Sequence, residues 1–290
     1  MTVRFTLSAG VFALGALTSA CSSRRAAETL LLGDHFVLTK GIAYGGNGHN
    51  RLDVYRPRDD RRRSPVVVFL YGGRWQSGSK EEYRLVGNAL TRRGIVVIVP
   101  DYRMYPGALF PAWVEDAAQA VRWSVDNAHR FNGDTARIFV VGHSAGAHTA
   151  ALLALDEKYL RSAGVAAHVL RGVVSMAGPV DTSWTDPDVQ ALMGPREGWP
   201  MTYPASHIDG TEQPLLFLHG AGDETVDQIN SSRLAARIRE RGGCARSVSY
   251  AGVGHVELVV ALALPWLRRA PVMDDIESFI HDPKRAGGCE

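Results

Sequence analysis

The chain has 290 residues, 46% of them hydrophobic, with 32 Lys and Arg against 30 Asp and Glu, for a net charge of +2. That length and apolar content can fill a large core, in one big α/β domain or two small ones, and one is favoured. The near-neutral balance supplies no electrostatic footprint for nucleic acid, and the dense basic run Arg61–Arg63, just after Asp59 and Asp60, reads as a solvated loop.

Residues 1–20 read as an export signal. Arg4 is their sole charged side chain, Leu7–Leu17 is apolar and small, and LTSAC closes a stretch too short to span a bilayer comfortably. The Ala20-Cys21 junction resembles the lipobox of bacterial lipoproteins, in which the cysteine is lipidated and becomes the new N-terminus, although Thr18 stands where Leu is usual. The expected location is therefore periplasmic or cell-surface, with membrane contact only through a lipid on Cys21; ordinary secretion with nearby cleavage is the alternative. With Cys21 used in this way, Cys244 and Cys289 remain as an even pair, for one disulfide tethering the tail or for two free thiols. No cysteine pair has metal-ligand spacing and the ten histidines contain no H-E-x-x-H, so neither metal nor other cofactor is expected.

A linker at 21–40 leads into a domain spanning 41–281, with a polar tail at 282–290. Gly41–Tyr44 and Arg51–Arg56 read as strands joined by GGNGHN, whose Asn47-Gly48 pair suits a positive-φ turn. The pattern then alternates: PVVVFLYGG a buried strand, Lys80–Arg93 a helix, GIVVIVPDYR a strand, Pro111–Arg130 a helix, ARIFVVGHS a strand, Ala145–Leu155 a helix. RGVVSMAG, PLLFLHG and ARSVSYAG supply three further strands, with Asp227–Arg241 helical between the last two. Continuous β-branched runs between amphipathic helices predict a mostly parallel sheet covered on both faces. Pro179–Gln213 breaks the rhythm and reads as a small lid or pocket wall, with Trp184, Trp199 and Tyr203 packing over the sheet edge.

VVGHSAGAH puts Ser144 in a G-x-S-x-G turn between a strand and a helix, where Gly142 and Gly146 leave room for a serine in a strained backbone conformation. Ser is also a good helix N-cap, so the motif alone is ambiguous. A serine hydroxyl needs a base within hydrogen-bond reach and an acid to orient that base. His255, in the glycine-flanked loop AGVGHVEL, is the predicted base in preference to His281 in the polar tail. Asp223, after PLLFLHGAGD, is the predicted acid, with Asp181 its competitor and Glu224 and Asp227 weaker alternatives. The N–H groups of Gly72 and Gly73 in YGGRW, with that of Ala145, are placed to receive charge developing on a substrate oxygen.

With LDVYRP, YGGRWQSGSK, PDYRMYP, FNGDTARIFVVGHSAGAH, LFLHGAGDETV and GVGH, the chain resembles the α/β-hydrolase superfamily, in particular its esterase, lipase and arylformamidase branch, from Gly41 to Leu267. The resemblance implies a mostly parallel central sheet with helices on both faces and a small lid, Ser144 as nucleophile, Asp223 as acid, His255 as base, and Gly72, Gly73 and Ala145 as oxyanion donors. Tyr71 stands where that branch normally has His; its hydroxyl is expected to bond nearby backbone. His148, one helical turn past Ser144, is expected to be packed or hydrogen-bonded. The implied activity is hydrolysis of small carboxylic esters through an acyl-enzyme. An arylformamidase-like amidase and a non-catalytic surface protein on the same scaffold are the alternatives. The expected partner is a small ester or amide; the string carries no sign of oligomeric state.

Overall fold

In the computed structural model, residues 35–59, 62–267 and 269–289 are described. The expected signal segment, Cys21 and most of the expected linker lie outside them. From Phe36 onward the chain forms one compact unit around an eight-stranded sheet in the order β1-β2-β4-β3-β5-β6-β7-β8. The strands are β1 (Phe36–Ala43), β2 (Arg51–Pro57), β3 (Ser64–Leu70), β4 (Val96–Pro100), β5 (Gly133–His143), β6 (Leu170–Met176), β7 (Leu215–Gly220) and β8 (Ala245–Tyr250). β1 and β2 pair antiparallel, β2 joins β4 antiparallel, and all remaining pairings are parallel.

The sequence dictates this order of layers. β3 and β4 are buried at every position, as strands must be when helices cover both faces, and their valines and isoleucines fit the pleated surface. The helices between strands are α1 (Arg84–Thr91), α2 (Ala112–Asn127), α3 (Ala145–Leu155), α4 (Glu157–Ser162), α5 (Pro187–Met193) and α6 (Ile229–Glu240), followed by α7 (His255–Ala263) and α8 (Val272–His281). α2, α3 and α4 pack together on one face, and α1, α7 and α8 on the other. α3 is buried almost throughout, so it is apolar all round rather than amphipathic.

Three local expectations need correction. The first strand starts at Phe36, inside the expected linker, and Phe36 and Leu38 pack on the core; an irregularity between Thr39 and Ile42, where Gly41 has φ +66° and gives its N–H to Asp53 Oδ1, hides the strand in the sequence. The connection to β2 is not a positive-φ turn at Asn47-Gly48. Instead Asn47 Oδ1 accepts the N–H groups of His49 and Asn50, and the side chain closes the turn. The polar tail contains a one-turn helix, Pro283–Ala286; of the two alternatives for its cysteine, the disulfide is the one formed, from Cys289 to Cys244 just before β8.

That bond closes a loop with a sequence separation of 45 residues. Cys289→Ser should cost about 2–4 kcal/mol, lowering the melting temperature by roughly 5–15 °C. Thermal melts should bring reduced wild type down to the variant and leave the variant indifferent to reductant.

Candidate active site

Ser144 follows β5 directly and begins α3. Its backbone sits at φ 55°, ψ −118°, a sparsely populated region for a residue with a side chain. The flanking glycines are required by contact: a Cβ on Gly142 would lie 2.2 Å from the Gly146 carbonyl oxygen, and one on Gly146 would lie 2.1 Å from the Leu70 carbonyl oxygen. The Ser144 N–H bonds the Met176 carbonyl at the end of β6, 2.9 Å away, so two neighbouring strand ends fix the turn.

Asp223 comes from the loop after β7 and His255 opens α7 just past β8, so all three side chains gather at the carboxyl ends of parallel strands. The Ser144 hydroxyl lies 2.9 Å from His255 Nε2, and His255 Nδ1 lies 2.7 Å from Asp223 Oδ2. Asp181 is engaged elsewhere, with Arg237 at 2.8 Å and Arg233 at 3.6 Å. His281 is exposed at the end of α8.

Asp223 is held by more than its histidine. Burial pushes its carboxyl up, but the N–H groups of Val226 and Thr225, both 2.9 Å from Oδ1, and the His255 contact outweigh this and hold it below the ordinary carboxylate range. A fourth partner, His219, was not legible as a site residue. Its Nε2–H points at the Val226 carbonyl (2.9 Å) and Asp223 Oδ2 (3.2 Å), while Nδ1 accepts from the Ser231 hydroxyl at 2.7 Å. Burial depresses the His219 pKa, so the ring donates as a neutral group. The available signal was a histidine inside the wholly buried strand LLFLHG.

His143, between Gly142 and Ser144, is also buried and donates Nε2–H to the His255 carbonyl at 3.1 Å. Burial and the neighbouring His255 ring lower its pKa to about 4. His148 behaves as expected of a packed residue: its Nε2–H bonds the Thr202 carbonyl at 2.8 Å, and burial lowers its pKa to about 4.

On the other side of Ser144 lies the loop after β3. A Cβ on Gly72 would come within 3.0 Å of Ser144 Cβ, so this backbone packs on the serine. Gly73, at φ 126°, follows it in the same loop, and Ala145 follows Ser144, so the three expected oxyanion donors border the serine. Tyr71 differs from expectation: its hydroxyl bonds the side chain of Asp101, 3.0 Å away, rather than backbone. A cavity of about 240 Å³ opens at Ser144 and Ala145, walled by Trp75, Trp184, Val189 and Val226, with Arg74 and Asp186 at its rim forming a 2.6 Å ion pair. Trp184 packs edge-on to Trp75 and His148, so it is a packing residue and a cavity wall together. Among the described residues no group of three or more His, Cys, Asp or Glu is placed to hold a metal, and no helix is long and apolar enough to cross a membrane.

Comparisons with known proteins agree with the fold. The BD-FAE family model matches residues 52–238. The chain is 28% identical to the isoprenylcysteine alpha-carbonyl methylesterase ICME of Arabidopsis thaliana and 27% identical to the esterase LipQ of Mycobacterium tuberculosis, each over 83% of this chain and 62% of the relative. It thus spans less than two thirds of these relatives' length. Among solved structures, the esterase of Pyrobaculum calidifontis superposes with a TM-score of 0.71 at 25% identity, covering 91% of this chain and 92% of that one. A truncated carbohydrate esterase from gut microbiota gives 0.74 at 21%, covering 88% and 98%.

The buried neutral histidines make stability depend on pH. His143 and His148 titrate near their ordinary value of 6.5 once unfolded and only near 4 when folded, so their contribution is complete above pH 6.5 and is lost as pH falls toward 4. Melting temperature should drop over that window by an amount equivalent to about 3 kcal/mol or more, and His148→Gln should flatten the drop.

Proposed function

Because the chain belongs to the BD-FAE family and has the α/β-hydrolase fold, we propose that it is a serine hydrolase cleaving small carboxylic esters through an acyl-enzyme. One observation carries the reading: the unbroken line from the Ser144 hydroxyl through both nitrogens of His255 to Asp223. Ser144 Oγ adds to the ester carbonyl carbon as its proton passes to His255 Nε2. The carbonyl oxygen takes up the negative charge and turns to the N–H groups of Gly72, Gly73 and Ala145. The bond to the leaving oxygen then breaks, that oxygen takes the proton from His255, and the acyl group stays on Ser144. Water repeats the sequence with His255 as base, releasing the acid and restoring the serine. Asp223, fixed on Nδ1–H, keeps the imidazole in the tautomer whose Nε2 can accept and stabilises the imidazolium that forms.

The methylesterase and esterase names of the relatives support an ester substrate, and the cavity volume suits a short acyl group. The walls of Trp75 and Trp184 favour one second reading, cleavage of an N-formyl aromatic amine. We also place the protein outside the cytoplasm with Cys21 as lipid attachment point. The Cys244–Cys289 bond supports an oxidising compartment, and an unmodified N-terminus in mass spectra of the mature protein would remove the anchor.

Ser144→Ala should lower turnover of short p-nitrophenyl esters by roughly 10⁴-fold or more and abolish labelling by a fluorophosphonate, with the melting curve retained. Unchanged turnover would overturn the mechanism, and N-formylkynurenine hydrolysed far faster than simple esters would move the substrate to the formamide.

A further inference from the structure

The loop that carries Gly73 contains a glycine pair and a backbone conformation open only to glycine, and such a segment does not hold an N–H in one direction by itself. The peptide unit immediately before it is held from outside the loop: the Tyr71 carbonyl accepts the Tyr102 hydroxyl at 2.7 Å. Tyr102 lies two residues past the end of β4, and Tyr83 ends the helical turn Lys80–Tyr83 that leads into α1.

The hold is rigid because the rings are stacked. The Tyr71 ring lies between those of Tyr102, 4.7 Å away at 24°, and Tyr83, 5.4 Å away at 16°. Its hydroxyl is tied to Asp101 Oδ1, which also accepts the Lys80 N–H at 2.8 Å, while Asp101 Oδ2 takes the Lys80 ammonium at 2.9 Å. Lys80 opens the turn that ends at Tyr83, so the same carboxylate secures the middle ring and the element presenting an outer one. Burial keeps all three hydroxyls protonated, so the arrangement does not titrate in the range where the enzyme would work.

We propose that Tyr102 is a positioning residue that fixes the Tyr71–Gly72 peptide plane and thereby aims the N–H of Gly72 and the next one, that of Gly73, at the oxyanion. In this chain a tyrosine stack does the bracing at the loop where Tyr71 replaces histidine. The inference rests on the esterase reading above, because an oxyanion forms only if the serine attacks a carbonyl. A donor held for the transition state acts on kcat rather than on substrate affinity.

The test is Tyr102→Phe in the full chain, which keeps the ring and its stacking and removes only the oxygen. Tyr250→Phe is the control, since it deletes a buried tyrosine hydroxyl bonded to Asp275 on α8, 2.6 Å away. Tyr102→Phe should lose about 10-fold or more in kcat on a short p-nitrophenyl ester, with KM within about 2-fold of wild type. The inhibition constant of a trifluoromethyl ketone, which forms a tetrahedral adduct with the serine, should rise by the same factor as kcat/KM falls. The control should lower the melting temperature without changing either constant. Wild-type kcat and ketone affinity in Tyr102→Phe, or losses matched by the control at equal destabilisation, would overturn the proposal while leaving the esterase reading intact. An inactive wild type would instead overturn the esterase reading, and this inference with it.

Discussion

The site depends on how closely the turn after β5 approaches the end of β3. Gly146 faces the carbonyl oxygens of Leu70 and Tyr71 at distances of 2.1 and 2.4 Å from where a Cβ would stand, so backbone meets backbone with no side chain between. This contact starts α3 directly over the sheet and sets the Tyr71–Gly73 loop against Ser144. The strained conformation of the serine costs about 1–3 kcal/mol. Full burial of Leu152 and Leu153 on the same helix contributes about 1.5–3 kcal/mol each, which more than offsets it. Packing of α3, rather than any bond made by the serine side chain, is what holds the turn.

The charged end of the line poses the opposite problem, because a buried carboxylate is costly unless its oxygens are satisfied. Asp223 has a fully buried side chain and meets four donors: the N–H groups of Thr225 and Val226 on one oxygen, and His255 and His219 on the other. The nature of the fourth donor matters. A lysine or arginine at position 219 would satisfy the oxygen but add a positive charge that competes with an imidazolium at His255. A neutral histidine, kept so by burial, supplies the hydrogen bond alone, and the negative charge stays available to His255.

The features legible in the sequence were those written in local patterns. The buried strands appear as continuous apolar runs; Ser144 and Asp223 each follow such a run beside glycines, and His255 follows the glycine-containing turn after β8, in the order the fold requires. What stayed hidden depends on contacts between distant segments. β1 is a half-exposed edge strand with an irregularity at Gly41, so it carries no long apolar run, and its start is set by pairing with β2. The partner of the Tyr71 hydroxyl lies 30 residues away on another strand end, and only packing decides between a carbonyl and a carboxylate there. Asp181 and Asp223 are equivalent as loop aspartates; two arginines on α6 neutralise the first and a histidine line claims the second.

The insertion between β6 and β7 is fixed by the same helix that carries the serine turn. His148, one turn into α3, bonds the Thr202 carbonyl, and Thr202 Oγ accepts the Trp184 indole N–H at 2.6 Å. Trp75, from the loop after β3, meets both His148 and Trp184 edge-on. The Arg74–Asp186 ion pair bridges the same two segments, but both side chains are half-exposed, and water and salt screen such pairs strongly. The wall of the cavity is thus set from below, by a buried aromatic group anchored on α3, and the ion pair only decorates its rim. A nucleophile and the surface that selects its substrate then share one rigid support, so the cavity keeps its position relative to Ser144 without needing the lid to close.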